Sequence, residues 1–377
     1  MQLSVIILNY NVRFFLEQCV LSVQKALQDI DGEIIVIDNN STDDSCAMMK
    51  KLFPSITLIE NKENLGFPKG NNIGVAQAKG EYLCILNPDT VVAEDSFTKI
   101  LAFAKSKTNL GIVGCKLIDG TGAFLPESKR GVPTPWVAFT KIFGLYKIFP
   151  NNSLFNRYYA QHLSPYQTGK VDILVGAFMV LKRELYNEIG GFDENCFMYS
   201  DDIDLSYMAL QRGKENYYFH ETSVIHYKGE STVRDGTYMK RFQEAMNFFY
   251  KKHFSKSLLF DVFMRIGAFA FSLLKKKQQK NKELLIDKYV VFTHKDLKIN
   301  TTQSVDYFAE FEFFKNDSKL NYELVFDTTS FSNKAIIAFM EQNQSKNTTF
   351  KNYIYASNFR IGSNNANDIG KIIFCEN

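Results

Sequence analysis

Short apolar runs alternate with stretches of helical character over the first 120 residues. The runs Leu3–Leu8, Glu33–Ile37 and Tyr82–Leu86 are nearly continuous in apolar residues, as expected for strands buried on both faces. Val12–Leu27 has apolar residues at helical spacing, and Lys69–Ala78 is also predicted to be helical. This alternation predicts an α/β fold, in which a mostly parallel sheet has helices on both faces.

The pattern changes between residues 126 and 168, which hold five of the eight prolines, the only tryptophan and many other aromatic residues. This composition predicts a long irregular excursion, whose rings either face an apolar acceptor or membrane, or pack on one another. Beyond it, Val171–Leu181 is predicted to be a strand, and a helix is predicted from about Asp201. Two short strands, Asn216–Phe219 and Ser223–His226, are expected to follow.

Three segments are predicted along the chain: a domain over 1–255, an amphipathic basic helical segment over 256–284, and a small α/β or α+β domain over 285–377 whose role the sequence does not indicate. The middle segment is apolar and ends in lysines. It fits either a packed helix or a helix lying in the interface of an anionic membrane. No run of 18 uncharged apolar residues occurs, so no spanning helix is expected.

Composition and charge narrow the function classes. The net charge of the 377-residue chain is +3, which does not indicate a nucleic acid partner. Six scattered cysteines without a Cys-x-x-Cys pair predict reduced thiols. Because no charged-then-apolar leader precedes the first strand, we expect a cytoplasmic protein, with peripheral membrane contact through the basic segment as an option.

Polar residues follow the first two strands at one edge of the expected sheet. The first strand leads into Asn9 and Tyr10, and the second leads into Asp38 and Asn40. The Asp38 carboxylate can accept a hydrogen bond from a uracil or thymine ring, and Tyr10 offers a face for stacking. The same polar run is also typical of a helix entry, since Asn, Ser and Asp are preferred N-caps.

A second signal comprises Asn64, Gly66, Lys69 and Asn72. Glycines flank the lysine just before the predicted helix, which suits a phosphate at a helix N-terminus. A simple Gly/Pro turn is the alternative. No Gly-x-Gly-x-x-Gly or Walker motif occurs, which disfavours dehydrogenases and NTPases.

The sequence Asn87-Pro88-Asp89 follows the strand Tyr82–Leu86 and places one carboxylate where ligands bind in open α/β sheets. Such a carboxylate can hold Mg²⁺ or Mn²⁺ when phosphate oxygens of a substrate supply further ligands. The alternative is a turn, for which Asn-Pro-Asp is a common sequence.

Two further candidates lie downstream. Asp201 and Asp202 open a helix, where acids complement the helix dipole, and a carboxylate there could also remove a proton from a hydroxyl. His226 ends a strand before a glycine-containing polar loop, so it is a candidate metal or phosphate contact, although a single histidine is more often structural.

Together these motifs resemble the family 2 glycosyltransferases of GT-A fold, particularly the rhamnosyltransferase-like branch. The resemblance covers roughly residues 1–250. Its motifs are Val5–Asn11, Val36–Asp43, Asn64–Phe67 with Lys69–Asn72, Leu86–Asp89, Gly191–Glu194, Asp201–Leu205 and Ile225–Tyr227.

The resemblance implies an inverting, single-step transfer from a nucleotide sugar, dTDP-rhamnose or a UDP-hexose, to a glycan or lipid-linked glycan acceptor. Asp202 is then the general base, with Asp201 as the alternative. Asp89 and His226 hold Mg²⁺ or Mn²⁺. The implied nucleotide-sugar set is Asn9, Tyr10, Asp38, Asn40, Asn64, Gly66, Lys69, Asn72 and Asn87.

Two departures from the family pattern affect these expectations. Asn87 replaces the first acid of the family's Asp-x-Asp, so tight metal binding without substrate is not expected. Asp201 replaces a glutamate. Two other readings stay open: a sugar-1-phosphate nucleotidyltransferase, which normally has a glycine-rich loop after its first strand, and a catalytically inactive carbohydrate-binding or scaffolding protein.

Overall fold

The computed structural model describes residues 1–227, 236–254, 284–364 and 370–375, which form two sheets with helices packed on them. The first sheet has the order β3-β2-β1-β4-β8-β6-β9-β5, and β7 pairs with β9. Its strands are β1 (Leu3–Asn9), β2 (Gly32–Asp38), β3 (Thr57–Glu60), β4 (Tyr82–Leu86), β5 (Thr90–Val91), β6 (Leu110–Ile118), β7 (Gly169–Val171), β8 (Phe178–Lys182) and β9 (Glu215–His226).

Parallel pairing joins β1 to β2 and β4, β2 to β3, and β6 to β9. Antiparallel β8 lies between β4 and β6, and β5 pairs antiparallel with the end of β9. The helices are α1 (Arg13–Ala26), α2 (Ser45–Leu52), α3 (Gly66–Gln77), α4 (Ser96–Lys105), α5 (Pro135–Ile142), α6 (Leu145–Ile148), α7 (Arg183–Glu188), α8 (Asp201–Gln211), α9 (Gly236–His253) and α10 (Asn333–Gln342).

Side chains of β1 alternate between two apolar layers, because successive residues of a strand point to opposite faces. Val5 and Ile7 belong to the core that includes residues of α1, α2 and α4. Ile6 and Leu8 belong to the core that includes residues of α3 and α8. The predicted α/β sheet with helices on both faces is therefore confirmed.

A second sheet follows in the C-terminal part, with the order β11-β10-β12-β13-β14-β15. The pairs among its first four strands are parallel, and β14 and β15 are antiparallel. Its strands are β10 (Lys288–Phe292), β11 (Ser304–Phe308), β12 (Tyr322–Asp327), β13 (Thr348–Ile354), β14 (Phe359–Gly362) and β15 (Lys371–Phe374). The C-terminal appendage is thus an α/β unit.

The two sheets share one apolar core. Phe15 and Ile225 from the first sheet's side pack in the same cluster as Phe292 and Phe339 from the second. Burial of this many large apolar side chains stabilises the contact far more than surface ion pairs could. The C-terminal unit is consequently held against the strands β5 and β9.

Polar contacts supplement this shared core. The Glu94 carboxylate accepts hydrogen bonds from the backbone N–H groups of Asn333 at 2.8 Å and Lys334 at 2.9 Å. An anion in this position stabilises the N-terminus of α10 through the helix dipole. Lys116, largely buried on β6, forms an ion pair with Glu341 at 2.8 Å.

Several predicted elements differ from the observed ones. The expected single strand Val171–Leu181 is interrupted between β7 and β8, where the backbone N–H of Gly176 bonds to a side chain and Ile173 pairs with Arg130. The two short strands expected at 216–226 form one strand, β9, with an irregular register against β6. The 126–168 excursion contains the helices α5 and α6, so it is less irregular than expected.

The predicted segment 256–284 lies outside the described residues, except for its last residue. In the part of the chain that the structure describes, no helix combines the length and the apolar character needed to cross a membrane. All six cysteines are free thiols, as the sequence predicts.

Close packing of α3 on the sheet can be tested at Gly74. A Cβ atom there would lie 2.4 Å from Ile37 Cδ1. Gly74→Val should lower the free energy of unfolding by about 1–3 kcal/mol, because overpacking forces the sheet side chains to move. Ala76→Val, at an exposed position of the same helix, is the matched control. Urea denaturation measures both, and an equal loss in the two variants would contradict the packing argument.

Candidate active site

The carboxyl ends of β1 and β2 place Asp38 in a network of fixed donors. Asn9 Nδ2 donates to Asp38 Oδ1 at 2.8 Å, and the backbone N–H of Ser41 donates to Oδ2 at 2.8 Å. Asp38 is buried, whereas Tyr10, which follows the Asn9 that pairs with Asp38, is 36% exposed. Asn40 has a φ of +64°, a left-handed conformation that asparagine tolerates better than most residues. These contacts hold the carboxylate in one orientation at the sheet edge.

A chain of amides continues from this site to the start of α3. Asn61 Nδ2 donates to Asn39 Oδ1 at 2.9 Å, and Asn39 Nδ2 donates to Asn64 Oδ1 at 3.2 Å. Asn64 Oδ1 also accepts the backbone N–H of Gly66 at 3.0 Å. Asn39 and Asn61 are not among the residues that the sequence predicts for the site, because asparagines in polar turns carry no signal of their own.

Gly66 begins α3, three positions before the predicted start at Lys69. Its φ is +79°, and a Cβ atom there would lie 2.7 Å from the backbone oxygen of Phe197. Glycine is therefore required both by conformation and by the close approach of the 197 loop. Lys69 is exposed on the helix, one turn after its beginning, rather than at the helix N-terminus as predicted.

Asn72 is occupied by structural contacts. Its Nδ2 donates to the backbone oxygen of Phe192 at 2.9 Å and to Glu194 at 3.0 Å. Its Oδ1 accepts from the Tyr186 hydroxyl and from the Phe192 backbone N–H. The side chain connects α3 to the 190–194 loop. Its hydrogen-bonding groups are all used in these contacts, so none is left for the nucleotide sugar that the sequence predicts it to bind.

Asp89 and His226 face each other across β5 and β9. The register pairs Thr90 with His226, and His226 Nε2 lies 3.5 Å from Asp89 Oδ1. Asn87 Nδ2 lies 3.4 Å from the same ring nitrogen. Asp89 is only 3% exposed, and neither its Oδ1 nor His226 Nδ1 has a hydrogen-bond partner among the described residues.

These two side chains fit a divalent cation. A carboxylate oxygen and an imidazole nitrogen are both metal donors, and their separation of 3.5 Å is too long for a hydrogen bond. A buried carboxylate oxygen without a partner is costly unless a cation or donor joins it. Within the described residues no group of three or more His, Cys, Asp and Glu side chains could hold a metal, so further ligands would be groups such as water or substrate phosphate oxygens.

Asp202 is held by a largely buried cation. Arg130 Nη2 donates to Asp202 Oδ2 at 2.5 Å and to the backbone oxygen of Leu174 at 3.0 Å. The backbone N–H of Gly176 donates to the same carboxylate oxygen at 3.1 Å. Both contacts use Oδ2, which leaves Oδ1 of Asp202 to accept another hydrogen bond. Arg130 is not among the residues that the sequence predicts for the site, since a basic residue 72 positions away gives no local sign of this ion pair.

Asp201 occupies a different environment from its neighbour. Burial, and then the charge of Asp202, raise the pKa of Asp201 to about 7. A carboxyl group with such a pKa can take up and release a proton near neutral pH. The two adjacent acids therefore have distinct properties that the sequence alone could not separate.

Backbone contacts bring the candidates to one edge of the sheet. The N–H of Asn87 bonds to the oxygen of Ala177 at 3.0 Å, next to the Gly176 that contacts Asp202. The N–H of Asn39 bonds to the oxygen of Asn9 at 2.9 Å on the neighbouring strands. The candidate side chains accordingly lie at one edge of the sheet, where ligands bind in open α/β folds. These side chains are Asn9, Asp38, Asn87, Asp89, Asp202 and His226.

Comparison with known proteins identifies the family. Residues 4–190 match the family model described as Glycosyl transferase family 2. The chain belongs to this family. Its sheet has the GT-A arrangement that the resemblance implied, and this glycosyltransferase carries the second sheet as a C-terminal appendage.

Two curated relatives are rhamnosyltransferases. The N-acetylglucosaminyl-diphospho-decaprenol L-rhamnosyltransferase of Mycobacterium tuberculosis is 26% identical over 244 residues, which is 62% of this chain and 78% of the relative. Rhamnosyltransferase WbbL of Escherichia coli K12 is 28% identical over 172 residues, which is 43% of this chain and 61% of the relative. The chain is thus similar to two rhamnosyltransferases over 62% and 43% of its length.

Among solved structures, the mannosyltransferase PcManGT from Pyrobaculum calidifontis, in complex with GDP-Man and Mn²⁺, matches with a TM-score of 0.46 and 19% identity. The match covers 73% of this chain and 70% of the mannosyltransferase.

The raised pKa of Asp201 predicts a pH-dependent cost of folding. The folded chain holds the proton up to about pH 7, whereas the unfolded chain loses it near pH 4, so this cost grows as pH rises between these values. Asp201→Asn should remove it. The stability gain of the variant over wild type should increase by about 2–3 kcal/mol between pH 5 and pH 8.

Urea unfolding at the two pH values measures this gain. Asp29→Asn, which removes an exposed carboxylate, is the matched control. A gain for Asp201→Asn that is the same at pH 5 and pH 8 would show that burial does not perturb this carboxyl group.

Proposed function

We propose that this glycosyltransferase acts in glycan synthesis and transfers a sugar, with inversion, from dTDP-rhamnose or a UDP-hexose to a cell-surface glycan acceptor. The observation that carries the proposal is the buried Asp89 carboxylate, which faces His226 and has an oxygen without a hydrogen-bond partner among the described residues. It lies on the sheet edge that also presents Asp38 and Asp202. The rhamnosyltransferase names of the relatives support rhamnose as one donor sugar.

Nucleotide binding is assigned to the ends of β1 and β2. Asp38 is oriented by Asn9 and Ser41, and its carboxylate would accept the ring N–H of a uracil or thymine. The exposed ring of Tyr10 would stack on the base. Asn40 and Asn64 belong to the same polar edge, and Gly66 allows the 197 loop to approach it.

Asp89 and His226 would hold Mg²⁺ or Mn²⁺, with Asn87 beside them. Such an ion stabilises the negative charge that develops on a departing nucleoside diphosphate. Because the protein supplies two donors here, metal binding should depend on the diphosphate of the donor.

Asp202 would accept the proton of the attacking acceptor hydroxyl. In this step a bond forms between the acceptor oxygen and the sugar C1, the bond from C1 to the diphosphate oxygen breaks, and the diphosphate leaves with its electron pair. Arg130 and Gly176 hold Oδ2 of Asp202, so Oδ1 would receive the proton. Asp201, with its raised pKa, is the alternative base and would otherwise stay protonated beside Asp202 below about pH 7.

A lipid-linked acceptor is proposed from the name of the mycobacterial relative, which includes a decaprenol diphosphate. We place the protein in the cytoplasm, peripheral to the membrane, since six free thiols are typical of a reducing compartment. Nucleic acid is not a proposed partner, because the net charge of +3 gives no basis for it.

Substitution of the acids tests the base assignment. Asp202→Asn should lower kcat by about 10²–10⁴-fold, the usual contribution of a general base. Asp201→Asn should retain much more activity and change the pH profile of kcat, because it removes the group whose pKa is about 7. Asp172→Asn, at an exposed acid close to β7, is the matched control. If Asp201→Asn is the inactive variant and Asp202→Asn remains active, the two roles are reversed.

A donor panel tests the reaction class and the metal. Purified protein is assayed with dTDP-rhamnose, UDP-hexoses and GDP-mannose in the presence of Mg²⁺, Mn²⁺ or a chelator. We expect transfer from a dTDP- or UDP-sugar, and we expect the chelator to abolish this transfer. Asp89→Asn should lose Mn²⁺ binding in the presence of the nucleoside diphosphate. His162→Gln, at an exposed histidine, is the control.

Wild type that neither transfers nor hydrolyses any donor would instead favour an inactive carbohydrate-binding protein. Formation of a nucleotide sugar from a sugar 1-phosphate would favour a nucleotidyltransferase.

A further inference from the structure

Residues 135–157 expose an unusual concentration of large apolar side chains. Trp136 is 48% exposed, and the remainder are between 43% and 65% exposed. We call this set the aromatic surface; it consists of Trp136, Phe143, Ile148, Phe149 and Leu154. Contiguous exposed apolar groups of this size mark sites of contact with a protein or a membrane.

Ring contacts connect the aromatic members of this set through Phe139 and Phe155. Phe139 packs against Trp136 at 5.5 Å and against Phe143 at 4.6 Å between ring centroids. Phe155 lies 5.8 Å from Trp136 and 5.1 Å from Phe149. The expected packing of the excursion on its own aromatics is therefore present, but it leaves the outer sides of the rings exposed.

The helix α5 is anchored in the protein. Val137 is 3% exposed and Thr140 is 1% exposed. The Trp136 ring N–H donates to the backbone oxygen of Leu154 at 2.8 Å, which joins α5 to the segment after α6. The helix is consequently held in place while Trp136 and Phe143 remain exposed.

The charged residues of this stretch have one sign. Between Glu127 and Asp172 the sequence contains no acidic residue. Lys147 and Arg157 are exposed within this stretch, and Lys141 lies over the Tyr158 ring at 3.6 Å. An aromatic segment whose own charged residues are all basic complements a surface that is apolar inside and anionic at its boundary.

The start of this excursion lies next to Asp202, the candidate general base. Arg130, which binds Asp202, exchanges backbone hydrogen bonds of 2.9 Å with Ile173. The backbone N–H of Gly131 bonds to the oxygen of Arg157 at 3.0 Å, so the two ends of the excursion meet there. A surface that receives the aromatic side chains is therefore held at a defined position relative to Asp202.

From these observations we infer that the aromatic surface inserts into the interface of an anionic lipid membrane. A membrane fits better than a protein partner, because tryptophan, phenylalanine and lysine side chains are suited to the boundary between headgroups and acyl chains. Presentation of a lipid-linked acceptor to Asp202 rests on the proposed function, whereas lipid binding by the aromatic surface does not.

Trp136 provides a direct measurement, since it is the only tryptophan in the chain. The full chain is mixed with vesicles of phosphatidylcholine alone or with phosphatidylglycerol. We expect the tryptophan emission to move to shorter wavelength, and acrylamide quenching to fall, with the anionic vesicles. Added salt should reduce both effects by screening the basic groups.

The double variant Phe149→Ser/Leu154→Ser keeps the tryptophan probe. It should reduce the vesicle-bound fraction about tenfold or more, because two exposed apolar side chains no longer enter the lipid. Phe313→Ser/Phe374→Ser, which alters side chains 63% and 64% exposed elsewhere on the molecule, is the matched control and should bind like wild type. Near-ultraviolet circular dichroism verifies that both variants are folded.

Vesicle binding without a change in Trp136 emission would overturn the inference, because the contact would then involve another part of the chain. An emission shift on addition of a protein partner but not of vesicles would also overturn it. Transfer to a water-soluble acceptor analogue should be unaffected by the double variant. If wild type uses no donor but its Trp136 enters the lipid, the proposed function fails and the inference stands.

Discussion

The burial of Asp89 against His226 is the constraint on which the rest of the site depends. A carboxylate that is 3% exposed, with one oxygen lacking a hydrogen bond among the described residues, destabilises the fold unless a cation or donor reaches it. The pairing of β5 with β9 enforces this arrangement, and next to it the Tyr227 backbone N–H donates to the backbone oxygen of Asp89 at 3.0 Å. The fold thus keeps a destabilising buried carboxylate at the sheet edge where the nucleotide sugar would bind.

The C-terminal unit packs against that edge of the sheet. Asn352 Nδ2 donates to the Tyr227 hydroxyl at 3.2 Å, and Tyr227 packs against Phe15 with ring centroids 5.0 Å apart. Tyr227 follows His226 directly, so the second sheet contacts the strand that carries the candidate metal ligand. The C-terminal unit, whose role the sequence does not indicate, is therefore in structural contact with the site.

Prediction succeeded where local pattern and burial agree. The apolar runs predict β1 to within one residue and β4 at its observed bounds, because each run has the length and composition of a buried strand. It was less accurate at Val171–Leu181, where an apolar run suggested one strand. There the Gly176 N–H bonds to Asp202 instead of joining the sheet, a contact between distant segments that no periodicity records.

By itself the sequence determined the α/β class, the order of the motifs and the acids Asp38, Asp89 and Asp202 at element ends, since these follow from hydrophobic period and turn chemistry. Tertiary structure alone decided which partners those acids have. Arg130 pairs with Asp202, burial raises the pKa of Asp201, and Asn72 is used to hold a loop. Such properties depend on the distance and solvent exposure of groups far apart in the chain, which only folding brings together.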